Sequence, residues 1–242
     1  MANPYFEPGP QRAARVQALF DRVASRYDLL NDLQSFGLHR RWKRRLLCLA
    51  RPQPGERALD VCCGTADLGL ALAQQGLHVV GLDFSQEMLD VAAEKKKRVG
   101  NTSLQLVRGD AQQLPFEPGG FDIVTVGYGL RNLADWQMGL AEMVRVARPG
   151  GRVLVLDFGK PDNTLWRALY FGYLRLFVPL LGLVFCGSAS AYSYILESLK
   201  HYPAQHGVAA KMRELGMKNV QLYNLLGGVM TINYSEKAQT RI

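Results

Sequence analysis

The chain has few of the residues that most often carry metal or nucleophile chemistry. Only four histidines and four cysteines occur among its 242 residues. The cysteines (Cys48, Cys62, Cys63, Cys186) form no C-x-x-C and have no histidine at zinc-ligand spacing. Cys62 and Cys63 sit side by side at the end of an apolar run, so as strand residues they point to opposite faces and make poor joint ligands. No metal site is expected, and the cysteines read as small buried apolar residues in a reducing compartment. Long apolar runs are also scarce. The longest, from Ala168 to Cys186, is interrupted by Gly172, Arg175, Pro179 and Gly182, so a continuous spanning helix of about 20 apolar residues is not expected. The first residues hold neither a signal peptide's apolar core nor a basic leader. The expectation is a cytoplasmic protein, at most peripheral to a membrane. No internal repeat or low-complexity tract is visible.

What is present is globular. Apolar residues at 48% and charged residues at 21% suit one domain with a full core. The net charge of +8 is concentrated near the start. Residues 12–51 carry ten Arg or Lys against Asp21, Asp28 and Asp32, a surplus of seven. Such a flank suits nucleic acid or anionic headgroups, and it also suits a plain solvated helix face.

Most of the functional information lies between Asp60 and Asp83. Ala58-Leu-Asp-Val-Cys-Cys-Gly-Thr-Ala-Asp-Leu68 gives a strand, a tight Gly64-Thr65-Ala66 turn and a helix start, and Val79-Val-Gly-Leu-Asp83 gives a second strand ending in an acid. That unit holds a nucleoside, with Asp83 placed for ribose hydroxyls. Ala66 stands where a dinucleotide fingerprint needs a glycine for close approach to a pyrophosphate. Asp60 would repel a pyrophosphate and attract an ammonium. S-adenosylmethionine carries an ammonium, a ribose and an adenine without phosphate, so it is the expected cofactor. Gly64 and Thr65 belong to its loop. Asp110 and Ala111, in Gly109-Asp-Ala, follow the third strand and bracket the adenine edge, while Phe84 and Met88 offer flat and apolar faces.

Helical periodicity is expected over Arg12–Leu30 and Ser35–Ala50, and Pro52-Gln-Pro-Gly55 then breaks the chain. Strands follow at Arg57–Cys62, Leu77–Asp83, Ser103–Arg108, Phe121–Val126 and Gly151–Phe158. Helices alternate with them at Asp67–Gln74, Gln86–Val99 (with Ser85 as N-cap) and Asp135–Ala147. An aromatic-rich insertion, a helix near Gln205–Leu215 and two closing strands, Asn219–Asn224 and Gly228–Tyr234, complete the chain. The expected fold is α/β, a Rossmann-like class I S-adenosylmethionine-dependent methyltransferase fold. Its seven-stranded, mostly parallel sheet ends in an antiparallel hairpin. The chain divides into an N-terminal helical cap (1–51), a cofactor core (57–158), a helical insertion (159–200) and a closing helix and hairpin (201–242). In such sheets ligands sit at the strand carboxyl ends, so Gly127, Tyr128, Arg131 and Asn132 should border the reacting centre.

Longer blocks carry a resemblance. Phe20-Asp-Arg-Val-Ala-Ser-Arg-Tyr-Asp-Leu-Leu-Asn-Asp32, Ser35-Phe-Gly-Leu-His-Arg-Arg-Trp-Lys43, Tyr128-Gly-Leu-Arg-Asn132, Arg152-Val-Leu-Val-Leu-Asp-Phe158, Tyr192-Ser-Tyr-Ile-Leu-Glu-Ser-Leu-Lys200 and Gly227-Gly-Val-Met230 are similar to the ubiquinone/menaquinone biosynthesis C-methyltransferases. The paired cysteines before Gly64 resemble the cyanobacterial and plastid branch that methylates demethylphylloquinone. Two positions depart from the family: Ala66 replaces a usual glycine, and Asn233 stands where a histidine is common.

The resemblance implies methylation of a ring carbon of a prenylated quinol, naphthoquinol being preferred to benzoquinol. Arg131 would favour the phenolate, since arginine cannot serve as a base at neutral pH, and Tyr27 would position the ring or relay a proton. No His/Asp pair of recognisable spacing offers a base, and His39 reads as a helix-packing residue. Tyr128 and Asn132 would border the ring. Tyr170, Phe177 and Tyr194, with Trp166, Leu169, Phe171, Leu174, Leu180, Leu181 and Val184, would line a groove for the isoprenoid tail. The basic helices would rest on the membrane. Nucleic acid is not an expected partner, because neither Asn-Pro-Pro-Tyr nor a Pro-Cys pair occurs. Oligomeric state stays open, a homodimer included.

Overall fold

The computed structural model describes the backbone of residues 12–100, 103–186 and 190–239, and their side chains except those of 12–13 and 180–194. Seven strands among the described residues form one sheet in the order β3-β2-β1-β4-β5-β7-β6. Strands β1 (Arg57–Val61), β2 (His78–Asp83), β3 (Leu104–Arg108), β4 (Phe121–Gly127) and β5 (Ala147–Phe158) run parallel. β7 (Met230–Glu236) pairs antiparallel with both β5 and the edge strand β6 (Lys218–Leu225). This is the expected topology, with the closing hairpin at the sheet edge. Helices cover both faces, so strands such as β1 read as apolar runs without alternation: Ala58, Leu59 and Val61 are all buried.

Local chemistry sets the helix ends. Ser85 accepts from the Met88 N–H at 3.1 Å and starts α5 (Gln86–Val99). Asp135 accepts from the N–H groups of Gln137 and Met138 at 2.9 and 3.1 Å and starts α6 (Trp136–Val146). The remaining core helices are α4 (Asp67–Ala73) and α9 (Ala204–Glu214). The insertion folds as two helices, α7 (Thr164–Cys186) and α8 (Ser190–His201). No described helix is long and apolar enough to cross a membrane.

The N-terminal region differs from the two helices expected. It forms α1 (Arg12–Val23), a 3-10 turn (Ala24–Arg26), α2 (Tyr27–Ser35) and α3 (Leu38–Ala50). Phe36 and Gly37, with φ of 50° and 72°, make a left-handed turn between α2 and α3. Apolar spacing alone does not reveal such a turn, because both helices keep the same buried side. β1 also stops at Val61. Cys62 is left-handed (φ 51°) and begins the turn, so the two cysteines do not alternate as strand residues.

Ala66 is fully buried and left-handed (φ 62°) just ahead of α4. An L-residue there costs roughly 1–2 kcal/mol that glycine avoids. Ala66→Gly is therefore expected to stabilise the protein by about 1 kcal/mol, read as a higher urea midpoint at unchanged slope. A lower midpoint would contradict this account of the loop. The other departure, Asn233, is buried on β7 and donates from Nδ2 to the Gln205 carbonyl at 2.9 Å. It ties the sheet to α9 and lines none of the cavities described below.

Candidate active site

Three cavities open along the carboxyl ends of β1, β2 and β4, and Tyr27 and Tyr128 line all three. The first spans about 810 Å3, part of it open to solvent, and brings together Gly64, Asp83, Phe84, Met88, Asp110, Ala111 and Gly127, all candidate cofactor residues of the sequence. Asp83 accepts from the Gly64 N–H at 2.7 Å and the Ser85 N–H at 3.0 Å. Burial pushes its carboxyl up, and those N–H groups oppose the rise. The remaining lone pairs leave Asp83 with acceptor capacity that would suit ribose hydroxyls. Gly127 lacks a Cβ that would lie 2.9 Å from Leu68 Cδ1, so the backbone passes close by. α1 forms the lid: Val16 and Gln17 line the cavity, and Asp21 accepts from Ser85 Oγ at 2.6 Å.

A second, smaller cavity is polar and continues from the first past Cys62, Gly64 and Gly127. Asp60, expected to answer an ammonium, and Thr65 line this cavity and not the first. Asp60 is 1% exposed, accepting from the Gly69 N–H at 3.0 Å and from Thr125 Oγ1 at 2.9 Å. Burial, only partly offset by those bonds, raises its carboxyl to about 7. Thr65 Oγ1 donates to Asp28 at 2.8 Å and accepts from Lys95 Nζ at 2.9 Å. Asp67 meets Lys43 and Lys95 at 2.7 and 2.6 Å. Burial works to raise Asp67, yet the two ammonium groups hold it down to about 2. A zwitterionic amino-acid group suits this chamber: Asp60 would answer its ammonium and Lys43, now on Asp67, its carboxylate.

The third cavity spans about 970 Å3, part of it open to solvent, between α2, α3, α7 and the sheet ends, and most of its lining is apolar. Arg131 stands in its wall with its N–H and Nη1 on Asp157, at 3.1 and 2.9 Å from the two carboxylate oxygens. Its guanidinium lies 4.5 Å from the centroid of the Phe158 ring. Tyr128 is left-handed (φ 65°), held by its N–H on the Leu156 carbonyl at 2.7 Å. That strained position places its ring between cofactor and third cavity. Burial pushes the Tyr27 hydroxyl up to about 12, so it keeps its proton and is able to donate.

Several expectations are corrected. Asn132 lines the nucleoside cavity, with Nδ2 donating to the Tyr128 carbonyl at 3.1 Å; it does not line the third cavity. Tyr170 does line the third cavity, together with Leu174 and Val178. These residues recur every four positions, so one stripe of α7 faces inward. Phe177 falls outside that stripe: it stacks on Tyr173 and Phe36 and is 38% exposed. Trp166 and Leu169 also face outward, Trp166 donating from Nε1 to the Leu226 carbonyl at 3.1 Å. Phe171 packs against the core without lining the cavity. The side chains of Leu180, Leu181, Val184 and Tyr194 lie outside the described residues. Sequence reasoning missed Lys43 and Lys95 in the polar chamber and Asn31, His39 and Trp42 in the third cavity. The two lysines had no signal, since their partners come from distant elements.

Solved structures share this architecture. An S-adenosylmethionine-dependent methyltransferase of Thermotoga maritima aligns with a TM-score of 0.68 at 14% identity, over 92% of this chain and 99% of its own. A phosphoethanolamine N-methyltransferase of Haemonchus contortus in complex with S-adenosyl-L-methionine aligns at 0.58 and 18% identity, over 81% and 53%. Sequence relatives are much nearer. A demethylmenaquinone methyltransferase of Beutenbergia cavernae is 43% identical over 225 residues, 93% of this chain and 92% of the relative. One of Desulfitobacterium hafniense is 41% identical over 229 residues, 93% and 90%. The model of the ubiE/COQ5 methyltransferase family matches residues 10–237. With the cofactor cavity at the strand ends, that match makes the chain an S-adenosylmethionine-dependent methyltransferase and a member of the ubiE/COQ5 family.

Proposed function

We propose that the enzyme methylates a ring carbon of a prenylated demethylnaphthoquinol, either demethylmenaquinol or demethylphylloquinol. The observation that carries this reading is the third cavity, a largely apolar chamber joined to the cofactor cavity at Tyr27 and Tyr128. An isoprenoid tail buried there contributes roughly 0.8 kcal/mol per methylene. The named activity of the relatives supports the naphthoquinol ring.

The reaction displaces S-adenosylhomocysteine as the ring carbon attacks the sulfonium methyl in line. That carbon is strongly nucleophilic only when the neighbouring hydroxyl is ionised, and a free phenol ionises near roughly 10. Arg131 would stabilise the phenolate from the cavity wall, and Tyr27 would orient the ring. At the surface, Arg40, Arg41, Arg44 and Arg45 of α3 are exposed, beside exposed Phe36, Leu176 and Phe177. This mixture of cations and apolar groups supports contact with an anionic membrane from which the lipid is drawn.

Substrate choice is tested by competition among phytyl-demethylnaphthoquinol, polyprenyl-demethylnaphthoquinol and a polyprenyl benzoquinol. Preference for either naphthoquinol supports the reading, and methylation of the benzoquinol alone overturns it.

Asp60 gives a pH prediction. Its buried carboxyl is raised to about 7, so it is protonated in the empty enzyme at acid pH, and an incoming ammonium favours its ionised form. Cofactor binding then releases a proton. Affinity for S-adenosylmethionine should rise as pH climbs from 5 to 7, by at most about tenfold per unit, and level off above. Asp60→Asn should flatten this slope. Calorimetry in two buffers of different ionisation enthalpy measures the proton; none released at pH 6 would contradict the assignment.

A further inference from the structure

Two residues seven apart, on either side of the left-handed turn at Phe36–Gly37, meet where one of them, His39, lines the third cavity. His39 is 4% exposed, and its Nε2 lies 2.8 Å from Asp32 Oδ1. Asp32 is fixed in turn by Arg40, whose Nε and Nη2 donate to it at 2.9 and 2.6 Å. The His39 N–H reaches Ser35 Oγ at 3.2 Å, which pins the start of α3. A carboxylate on Nε2 selects the tautomer with the proton there and leaves Nδ1 as an acceptor. Among the described residues, the buried Nδ1 has no hydrogen-bond partner.

The buried hydroxyls of Tyr128 and Tyr170, which line the same cavity, are also without partners among the described residues. An unsatisfied buried polar atom costs about 1–3 kcal/mol. With Asn31 Nδ2, which lines the same cavity and is likewise without a partner among the described residues, four such atoms around one chamber point to a ligand that brings its own polar groups. Burial raises both tyrosine hydroxyls, so they remain donors. His39 Nδ1 alone of the four is basic. The charged groups acting on His39 are Asp32 on α2, Lys43 on α3 and Asp67 on α4, while Arg131 shares the cavity. Burial is the largest influence and lowers its basicity, so the ring is neutral and able to accept near neutral pH.

We propose that His39, oriented by Asp32, is the general base that takes the hydroxyl proton of the quinol. The inference rests on the reaction proposed above. As the O–H bond breaks, its proton passes to Nδ1 and its electron pair stays on oxygen. The ring carbon then forms its bond to the methyl group while the carbon–sulfur bond breaks, giving neutral S-adenosylhomocysteine and a keto tautomer. Loss of the ring C–H proton to water and return of the proton from His39 to oxygen restore the aromatic quinol. One proton is released overall, matching the positive charge lost by the sulfonium.

The test measures turnover against pH at saturating cofactor, which removes the Asp60 effect on affinity. His39→Gln should lower turnover about 100-fold with unchanged cofactor affinity. Its rate should lose the acid limb and climb with hydroxide, about tenfold per pH unit. Asp32→Asn should fold and move the acid limb to lower pH, and this shift decides the matter if His39→Gln fails to fold. A folded His39→Gln enzyme with wild-type turnover, or a slow one with an unaltered pH profile, overturns the proposal. So does an Asp32→Asn limb that stays in place. A wild-type enzyme that methylates neither naphthoquinol nor benzoquinol removes the reaction and the base together. An active wild type with an indifferent His39 removes the base alone.

Discussion

Arg131→Met is expected to destabilise the protein by about 3–5 kcal/mol and to lower turnover by about 100-fold. The two effects have different origins. Stability falls because Asp157, 2% exposed, loses the Nη1 donor at 2.9 Å and keeps a buried charge. Turnover falls because no cation remains to favour the phenolate. Adding Asp157→Asn to Arg131→Met removes the orphaned charge and should restore most of the stability, since an ion pair replaced as a unit is often neutral. Turnover should stay low in the double variant. Thermal melts and single-turnover rates on all four proteins complete the cycle. Recovery of rate together with stability would make Arg131 structural only.

Asp83→Ala should weaken S-adenosylmethionine binding by about 100-fold. Charge-assisted bonds are worth about 1.5–3 kcal/mol each, and the two ribose hydroxyls together supply somewhat less than twice that. The same carboxylate also holds the Gly64 and Ser85 N–H groups at 2.7 and 3.0 Å, so part of the loss comes from loosening both turns. Asp83→Asn keeps the shape with a weaker acceptor and should fall between. Calorimetry gives the affinities directly. An Ala variant that binds as tightly as wild type would place the ribose elsewhere.

The cofactor half was legible because its information is local. Gly64, Asp83 and Asp110 follow strands of plain apolar pattern, and strand ends in a parallel sheet converge on one edge. Depth along the strand was not legible. Asp60, read from the sequence as the partner of an ammonium, sits one residue before the end of β1 in the polar chamber, and its enclosure by the Gly69 N–H and Thr125 was the part that did not show. The substrate half depends on helix rotation. Tyr170, Leu174 and Val178 share the inner stripe of α7, and Phe177 lies off it; an apolar, aromatic-rich helix hides that choice because hydrophobicity surrounds it. Asn132 was assigned to the ring from its place in the loop at the carboxyl end of β4, yet a 3-10 turn (Leu130–Asn132) sends its side chain and that of Arg131 to different cavities. The Asp32–His39 pair escaped notice for a related reason. Seven residues would place the two on one side of a single helix, about two turns and 10 Å apart; the left-handed break at Phe36–Gly37 folds α3 back and brings them into contact.

The central claim is that the methyl group passes from S-adenosylmethionine to a ring carbon of a lipid quinol across the Tyr27–Tyr128 junction. It is tested most directly with methyl-deuterated S-adenosylmethionine and demethylmenaquinol kept reduced. The expected product is a menaquinol carrying one new trideuteromethyl group bonded to the previously unsubstituted ring carbon, with no transfer to the oxidised quinone. Label on oxygen, or no transfer to the reduced lipid, would contradict it.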